Sequence, residues 1–270
     1  MKKIVVLACI VAGAGSLNAQ SINLKKGQSI QSQTSTNSDM EMMMGNMKNE
    51  STIKGKMTVI EESAEGYVII RNIESMKMNA DGMGQNMQFD SDKAEDRKTE
   101  VGEMLSKQLS HIDTFSLNRQ TGLVKSLNKV KSEAGGMAMM TASGEDEVQG
   151  AADAFLIVPA GTKSGSTWSD SMAVKGLKTT RNFKVSAIAN NIADVEVNST
   201  VKGTTESEVQ GMTMNMTINS TIRGTMKVDL ATGLVLSTKN VNDMNTEMDM
   251  MGQNMQMTTK NNTTTTNTLL

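Results

Sequence analysis

From Ile218 to Leu230 the chain alternates. Ile218, Ser220, Ile222, Gly224, Met226, Val228 and Leu230 hold every second position, with Asn219, Thr221, Arg223, Thr225, Lys227 and Asp229 between them. Side chains of an extended strand point to opposite faces in turn, so this period of two commits the stretch to a strand with one buried and one wetted face. Ile53, Gly55, Met57 and Val59, set against Thr52, Lys54, Lys56 and Thr58, make the same commitment earlier in the chain.

The two stretches are also copies. Asn49-Glu-Ser-Thr-Ile-Lys-Gly-Lys-Met-Thr-Val59 aligns with Ile218-Asn-Ser-Thr-Ile-Arg-Gly-Thr-Met-Lys-Val228, and the hexapeptide MGQNMQ occurs at both 83–88 and 251–256. Gly66-Tyr-Val answers Gly233-Leu-Val, and Thr36-Asn-Ser-Asp-Met40 answers Thr205-Glu-Ser-Glu-Val209. The order and nearly constant offset define an internal repeat, 35–95 and 204–264. Two copies suit a pseudo-symmetric domain, whereas a solenoid needs about three or more.

Turn chemistry joins the strands. Asp229-Leu-Ala-Thr-Gly233, Asn118-Arg-Gln-Thr-Gly122 and Glu62-Ser-Ala-Glu-Gly66 each put a glycine where a short hairpin loop needs positive φ, and Asn190-Asn191 links two further strands. Between the repeats the period changes. Val101, Met104, Leu105, Leu109 and Ile112 have helical spacing behind the acidic pair Glu95 and Asp96. Ser143 with Asp146 has the form of a capping box, and Val148, Ala151, Ala152 and Phe155 continue one face until Pro159. The expectation is a mainly β (α+β) chain: a long curved antiparallel meander or half-barrel, built by internal duplication, with a helical insert of two helices over about 94–158. The Thr- and Asn-rich tail from Thr258 reads either as a polar last strand or as a frayed end.

Lys2 and Lys3, the apolar run 4–15 and the small residues before Gln20 have the order of a secretory signal peptide. The expected division is therefore a signal peptide at 1–19 and a single β-rich domain at 20–270, exported to the periplasm or the cell surface. No other apolar run approaches the roughly 20 residues of a membrane helix. Val6-Leu7-Ala8-Cys9 faintly resembles a lipoprotein cleavage box, but cleavage there leaves an apolar segment far shorter than the roughly 7–15 residues of such signals. Cys9 is the single cysteine, so ordinary cleavage leaves no disulfide, thiol nucleophile or thiolate metal site. A net charge of −2 lacks the excess of Lys and Arg that a nucleic-acid footprint needs.

Methionine is the conspicuous residue: 26, against 15 leucines and six aromatic residues. Many form Met-x-Met pairs that share one face of a strand, as in Met40, Met42 and Met44, Met76 and Met78, Met212, Met214 and Met216, Met248 and Met250, and Met255 and Met257. Three readings follow. Met replaces Ile and Val as the apolar half of the alternation; or its flexible, polarizable side chain lines a surface that fits varied apolar partners; or its thioether, a soft ligand, holds monovalent copper. The second reading selects Met42, Met44, Met57, Met76, Met78, Met212, Met214, Met216 and Met226 as ligand-binding candidates. The third selects Met83, Met87, Met251 and Met255, the methionines of the duplicated hexapeptide.

Other motifs carry less. His111 has no second His or Cys to share a metal and reads as a surface or helix-end residue. Asp90, Asp92, Glu95 and Asp96 lack the glycine and terminal glutamate of a calcium loop. Ser51-Thr-Ile-Lys54 has the Ser-x-x-Lys spacing of penicillin-recognising enzymes, yet it lies in a strand alternation, and its duplicate reads Ser220-Thr-Ile-Arg223. Without a nucleophile elbow, zinc motif or phosphate loop, the chain reads as a non-enzyme with no cofactor.

Asn23-Leu-Lys-Lys-Gly27-Gln28, Gly165-Ser-Thr-Trp168 and Gly224-Thr-Met-Lys-Val-Asp229 with Thr232-Gly-Leu-Val235 together resemble a family of exported bacterial proteins known by a domain-of-unknown-function label. A curved antiparallel sheet with inserted helices also looks like the LolA and LppX type of half-barrel, which implies a cavity for lipid or lipoprotein acyl chains. The leading expectation is an exported non-enzymatic binding protein whose Met-rich sheet face accepts an acyl chain, a lipid or a lipidated partner. A copper(I)- or oxidant-handling protein and a purely structural surface protein are the alternatives.

Overall fold

A computed structural model describes residues 21–43, 45–82, 84–128, 153–174, 176–209, 212–250 and 253–270. The strands in chain order are β1 Ser29–Met42, β2 Gly45–Glu62, β3 Gly66–Gly82, β4 Gln85–Asp90, β5 Ile112–Asn118, β6 Val124–Ser126, β7 Thr167–Val174, β8 Leu177–Ala189, β9 Ile192–Val209, β10 Met212–Asp229, β11 Val235–Met250 and β12 Gln253–Leu269. All pair antiparallel in one open sheet of order β6-β5-β3-β2-β1-β12-β11-β10-β9-β8-β7, with β4 on the free half of β3. The meander thus runs outward in two directions from a central seam where the first strand meets the last, Ile30 opposite Leu269 through to Met42 opposite Met257.

That seam decides the fate of the Thr- and Asn-rich tail, which is the fully paired strand β12. Threonine hydroxyls bond across the seam from Thr34 to Thr265 at 3.0 Å and from Thr36 to Thr263 at 3.2 Å. The repeated segments fall on corresponding strands: 35–95 runs from inside β1 through β4, and 204–264 from inside β9 into β12. Both lie in one sheet and meet at the seam. On the wetted face the register sets Asp243, Lys260, Asp39, Lys48 and Asp81 in a row across five strands, alternating in sign. Opposite charges directly across a ladder contribute about 0.2–1 kcal/mol per pair.

The turns follow their residues. Asn190 and Asn191 hold φ of 51° and 63° in the β8–β9 hairpin, and Gly122 and Gly233 hold 68° and 73° in theirs. Gly66 is glycine for another reason: a Cβ there would collide with the Leu117 carbonyl oxygen of neighbouring β5.

The packed core sits at one end of the long strands, around the β2–β3, β5–β6, β8–β9 and β10–β11 turns. Ile22 and Leu24 of the segment before β1 are fully buried there, against Ile30, Met57, Val59, Tyr67, Ile69, Phe115, Leu117 and Leu234. The Tyr67 hydroxyl fastens that segment, donating to the Ile22 carbonyl and accepting from the Leu24 N–H, both at 3.0 Å. Tyr67→Phe leaves both backbone groups buried and unpaired, and the expected loss is about 1–3 kcal/mol in urea unfolding. An unchanged midpoint would show that the segment is held by apolar packing alone. A second cluster gathers Phe183, Val185, Val195, Val197 and Val228, with Trp168 stacked on Phe183 at 4.9 Å.

Among the described residues there is one α-helix, α1 at Glu100–Ser110, preceded by a 3-10 turn at Asp96–Lys98. The Thr99 hydroxyl caps it by accepting from the Gly102 N–H at 3.0 Å. The helix therefore starts later than Glu95 and Asp96 suggest, and its acidic first turn is Glu100 and Glu103. Leu105 packs with Met76 and Phe89, while Met104 faces outward and Ile112 opens β5. The second expected helix, from Ser143, lies mostly outside the described residues. Its described end is not helical: Phe155 bridges to Leu234, and the Leu156 N–H bonds the Gly233 carbonyl at 2.9 Å. Tertiary pairing overrides helical spacing because Phe155 joins the first core cluster while Leu156 and Val158 join the second. The span 112–126 within the expected helical insert is the hairpin of β5 and β6.

Candidate ligand-binding face

Residues paired across an antiparallel ladder project to the same side. Following the register from strand to strand therefore sorts the methionines. Met216, Met248 and Met255 sit side by side on β10, β11 and β12. In the next row inward Met42 faces Met257, followed by Thr246 and Ile218. The row after that holds Met47, Met40, Thr259, Met244 and Ser220. All lie on the face that carries the core, but at the opposite end of the strands, where the β1–β2, β3–β4, β9–β10 and β11–β12 hairpins turn. No charged side chain falls in these three rows on β10, β11, β12, β1 or β2.

Burial grades across the patch. Met248 is 5% exposed and Met47 8%, while Met40, Met42, Met216, Met244, Met255 and Met257 are half-buried. Between this patch and the core lies a polar band, with Asn242, Asn261, Ser38 and Asn49 in one row and Asn240, Thr263, Thr36 and Ser51 in the next. The face thus changes along its length from packed apolar core through hydroxyls and amides to thioethers.

The sequence-derived candidates divide accordingly. Met42 and Met216 belong to the patch, and Met212 and Met214 continue β10 toward its hairpin, opposite Val209 and Ser207. Met76 and Met78 share the face but pack with Ile53, Phe89 and α1 in a third apolar cluster. Met57 is 3% exposed in the first core cluster, and Met226 packs against the second. Met57 lies ten residues along β2 from Met47, about 33 Å at strand rise, so the structure does not bring it to the patch. Met44, Met83 and Met251 lie outside the described residues. Of the hexapeptide methionines, Met87 on β4 and Met255 on β12 share the face but are four strand steps apart, about 19 Å across the strands, and six residues out of register, about 20 Å along them. Met40, Met47, Met244, Met248 and Met257 complete the patch. Met-x-Met spacing flagged several of these, but only the β1–β12 register joins them.

The remaining motifs have ordinary settings. Ser51 and Lys54 project from opposite faces of β2, which separates the pair. His111 Nε2 lies 3.1 Å from Asp113. Lys77 reaches Asp90 at 3.1 Å and Asp92 at 3.4 Å. The Asp92 N–H and the Lys77 ammonium hold the Asp90 carboxyl below its usual pKa. Among the described residues no group of three His, Cys, Asp or Glu is placed to hold a metal. A depression of about 370 Å³ on the wetted face, lined by Asn37, Glu50, Thr52, Lys77, Gln88 and Asp90 among others, is open and polar. No described helix is long and apolar enough to cross a membrane.

Known proteins bear on the fold more than on the site. Lipovitellin, in a structure concerned with its lipid–protein interactions, matches 89% of this chain at 10% identity with a TM-score of 0.51. The chain spans 25% of the lipovitellin chain's length, and the likeness is one of fold. An outer membrane channel from Pseudomonas putida F1 matches over 92% of this chain and 97% of its own at 6% identity, with a TM-score of only 0.28. OpdQ of Pseudomonas aeruginosa does so over 92% and 100% at 7% identity and 0.27. These scores are too low to equate folds. No curated protein matches the chain. The model of DUF6263, a family of unknown function, matches residues 138–235, and it is this uncharacterised family that the chain resembles.

Proposed function

We propose that this chain is an exported, non-enzymatic binding protein that takes up an apolar ligand, an acyl chain or an acyl-modified partner, on the methionine end of its sheet. One observation carries the reading: among the described residues eight methionines from five neighbouring strands share three uncharged rows of one face, six of them half-buried rather than sealed in a core. A solvated apolar surface of this kind marks a contact site. Thioether side chains have the torsional freedom to follow a flexible chain. The hydroxyl and amide band beside the patch supplies partners for a polar head group, as binding sites pair an apolar lining with a few polar groups. Lipovitellin, with its lipid–protein interactions, lends an analogy of fold. Export rests on the order Lys2-Lys3, apolar run and small residues at the start of the chain.

The test is native mass spectrometry of the protein purified from the exporting cell, followed by titration with a fluorescent fatty acid. Co-purified masses in the lipid range and saturable uptake of the probe are expected. A bare protein with no saturable uptake would overturn the reading.

A further inference from the structure

We propose that Met216, Met248 and Met255 form a site for one soft monovalent cation, copper(I). The inference goes beyond uptake of an apolar ligand and does not rest on it, because it depends on sulfur and not on apolarity. Met216 on β10 is paired with Met248 on β11, and Met248 with Met255 on β12, so three thioethers stand abreast on adjacent strands. Directly opposite residues have Cβ atoms about 4.5–5.5 Å apart. The two outer side chains, each with three rotatable bonds, can lean over the central one and converge on a single ion.

The chemistry selects the ion. Thioethers are neutral, soft donors that suit copper(I), whereas zinc takes thiolate, imidazole or carboxylate and calcium takes oxygen. No charged side chain shares this face in the three methionine rows, so the site offers no counter-charge. Desolvation without a counter-ion penalises a divalent ion far more than a monovalent one.

A separate observation indicates that the ladder is incomplete as it stands. Thr246, next along the same face of β11 and 3% exposed, has no hydrogen-bond partner for its hydroxyl. Its neighbours on the face are Met244, Met248, Met257 and Ile218. Buried hydroxyls are satisfied in nearly all native structures. A bound cation with its remaining water beside Met248 would meet this one. The site differs from the hexapeptide set, sharing only Met255 with it. Binding is simple coordination by three sulfur lone pairs, with no change of oxidation state.

The measurement is an anaerobic titration of the whole exported chain with copper(I) against a competing chelator, read by native mass spectrometry and by NMR of 13C-methyl-labelled methionine. One saturable copper is expected, with three methyl resonances shifting first. M216L/M248L/M255L keeps the volume and apolarity of the face and removes the sulfurs. Loss of an outer-shell partner weakens a metal site about 10–100-fold, so removal of these three ligands should cost at least that much. M57L/M226L, altered only in the core, should bind copper like the parent. Equal copper affinity in parent and triple variant, or unsaturable uptake in which all methionine methyls shift together, overturns the site. Copper binding without fatty-acid uptake would leave this site standing and remove the apolar-ligand reading.

Discussion

Phe115→Ala is expected to lower stability by about 3–5 kcal/mol, seen as a fall in the urea midpoint with the slope unchanged. Phe115 is 2% exposed on β5 and packs in the cluster that holds Ile22, Tyr67, Ile69 and Leu117. The two larger core clusters lie at one end of strands up to 18 residues long. A cavity there removes contacts that nothing else in the sheet replaces. Met248 provides the comparison, for it is buried to a similar degree at the other end. Met248→Leu conserves volume and should cost less than about 1.5 kcal/mol. If Phe115→Ala cost no more than Met248→Leu, the cohesion of the sheet would have to be assigned to the cross-strand ladders instead.

Fatty-acid uptake should fall by about 100-fold or more when Met42, Met216 and Met257 are replaced together by aspartate. All three are half-buried, so water reaches the new carboxylates and the fold is retained, as an unchanged circular dichroism spectrum would show. An apolar chain laid over them has to strip that water from charges with no cation in the three methionine rows of β10, β11, β12, β1 and β2. The matching M42L/M216L/M257L variant keeps an apolar surface and should bind within about threefold of the parent, since swaps among apolar side chains of similar size are well tolerated. Uptake by the aspartate variant equal to that of the parent would place the ligand elsewhere. A loss in the leucine variant as large as in the aspartate variant would mean that the ligand needs sulfur and not an apolar face.

Much of the fold was legible because it is local. Alternation at Ile218–Leu230 marks β10, the glycines and the Asn190-Asn191 pair mark hairpins, and the spacing of Val101, Leu105 and Leu109 marks α1. Each signal depends on residues within a few positions of one another. The described end of the second expected helix misled for the opposite reason. Spacing from Val148 to Phe155 suits a helical face, but Phe155 is claimed by Leu234, far away in sequence. Met57 and Met226 lie with the core clusters and not with the methionine patch, because alternation shows which face a residue takes and not how far along the strand the core extends.

What the sequence determined by itself, then, is a set of long amphipathic strands, their hairpins and the repeat that duplicates them, since period, turn chemistry and copy number need no partner. Only the tertiary structure decided that β1 pairs with β12. That pairing sets Met42 against Met257 and aligns Asp39 between Lys48 and Lys260. It also closes the seam between the two repeats. Thr263 to Thr266 and their equally polar partners could slide by two residues and keep the same face, so periodicity leaves the register open. Fixing it takes the whole sheet, with the buried Ile30 and its neighbours locking one end of the ladder while the methionines gather at the other.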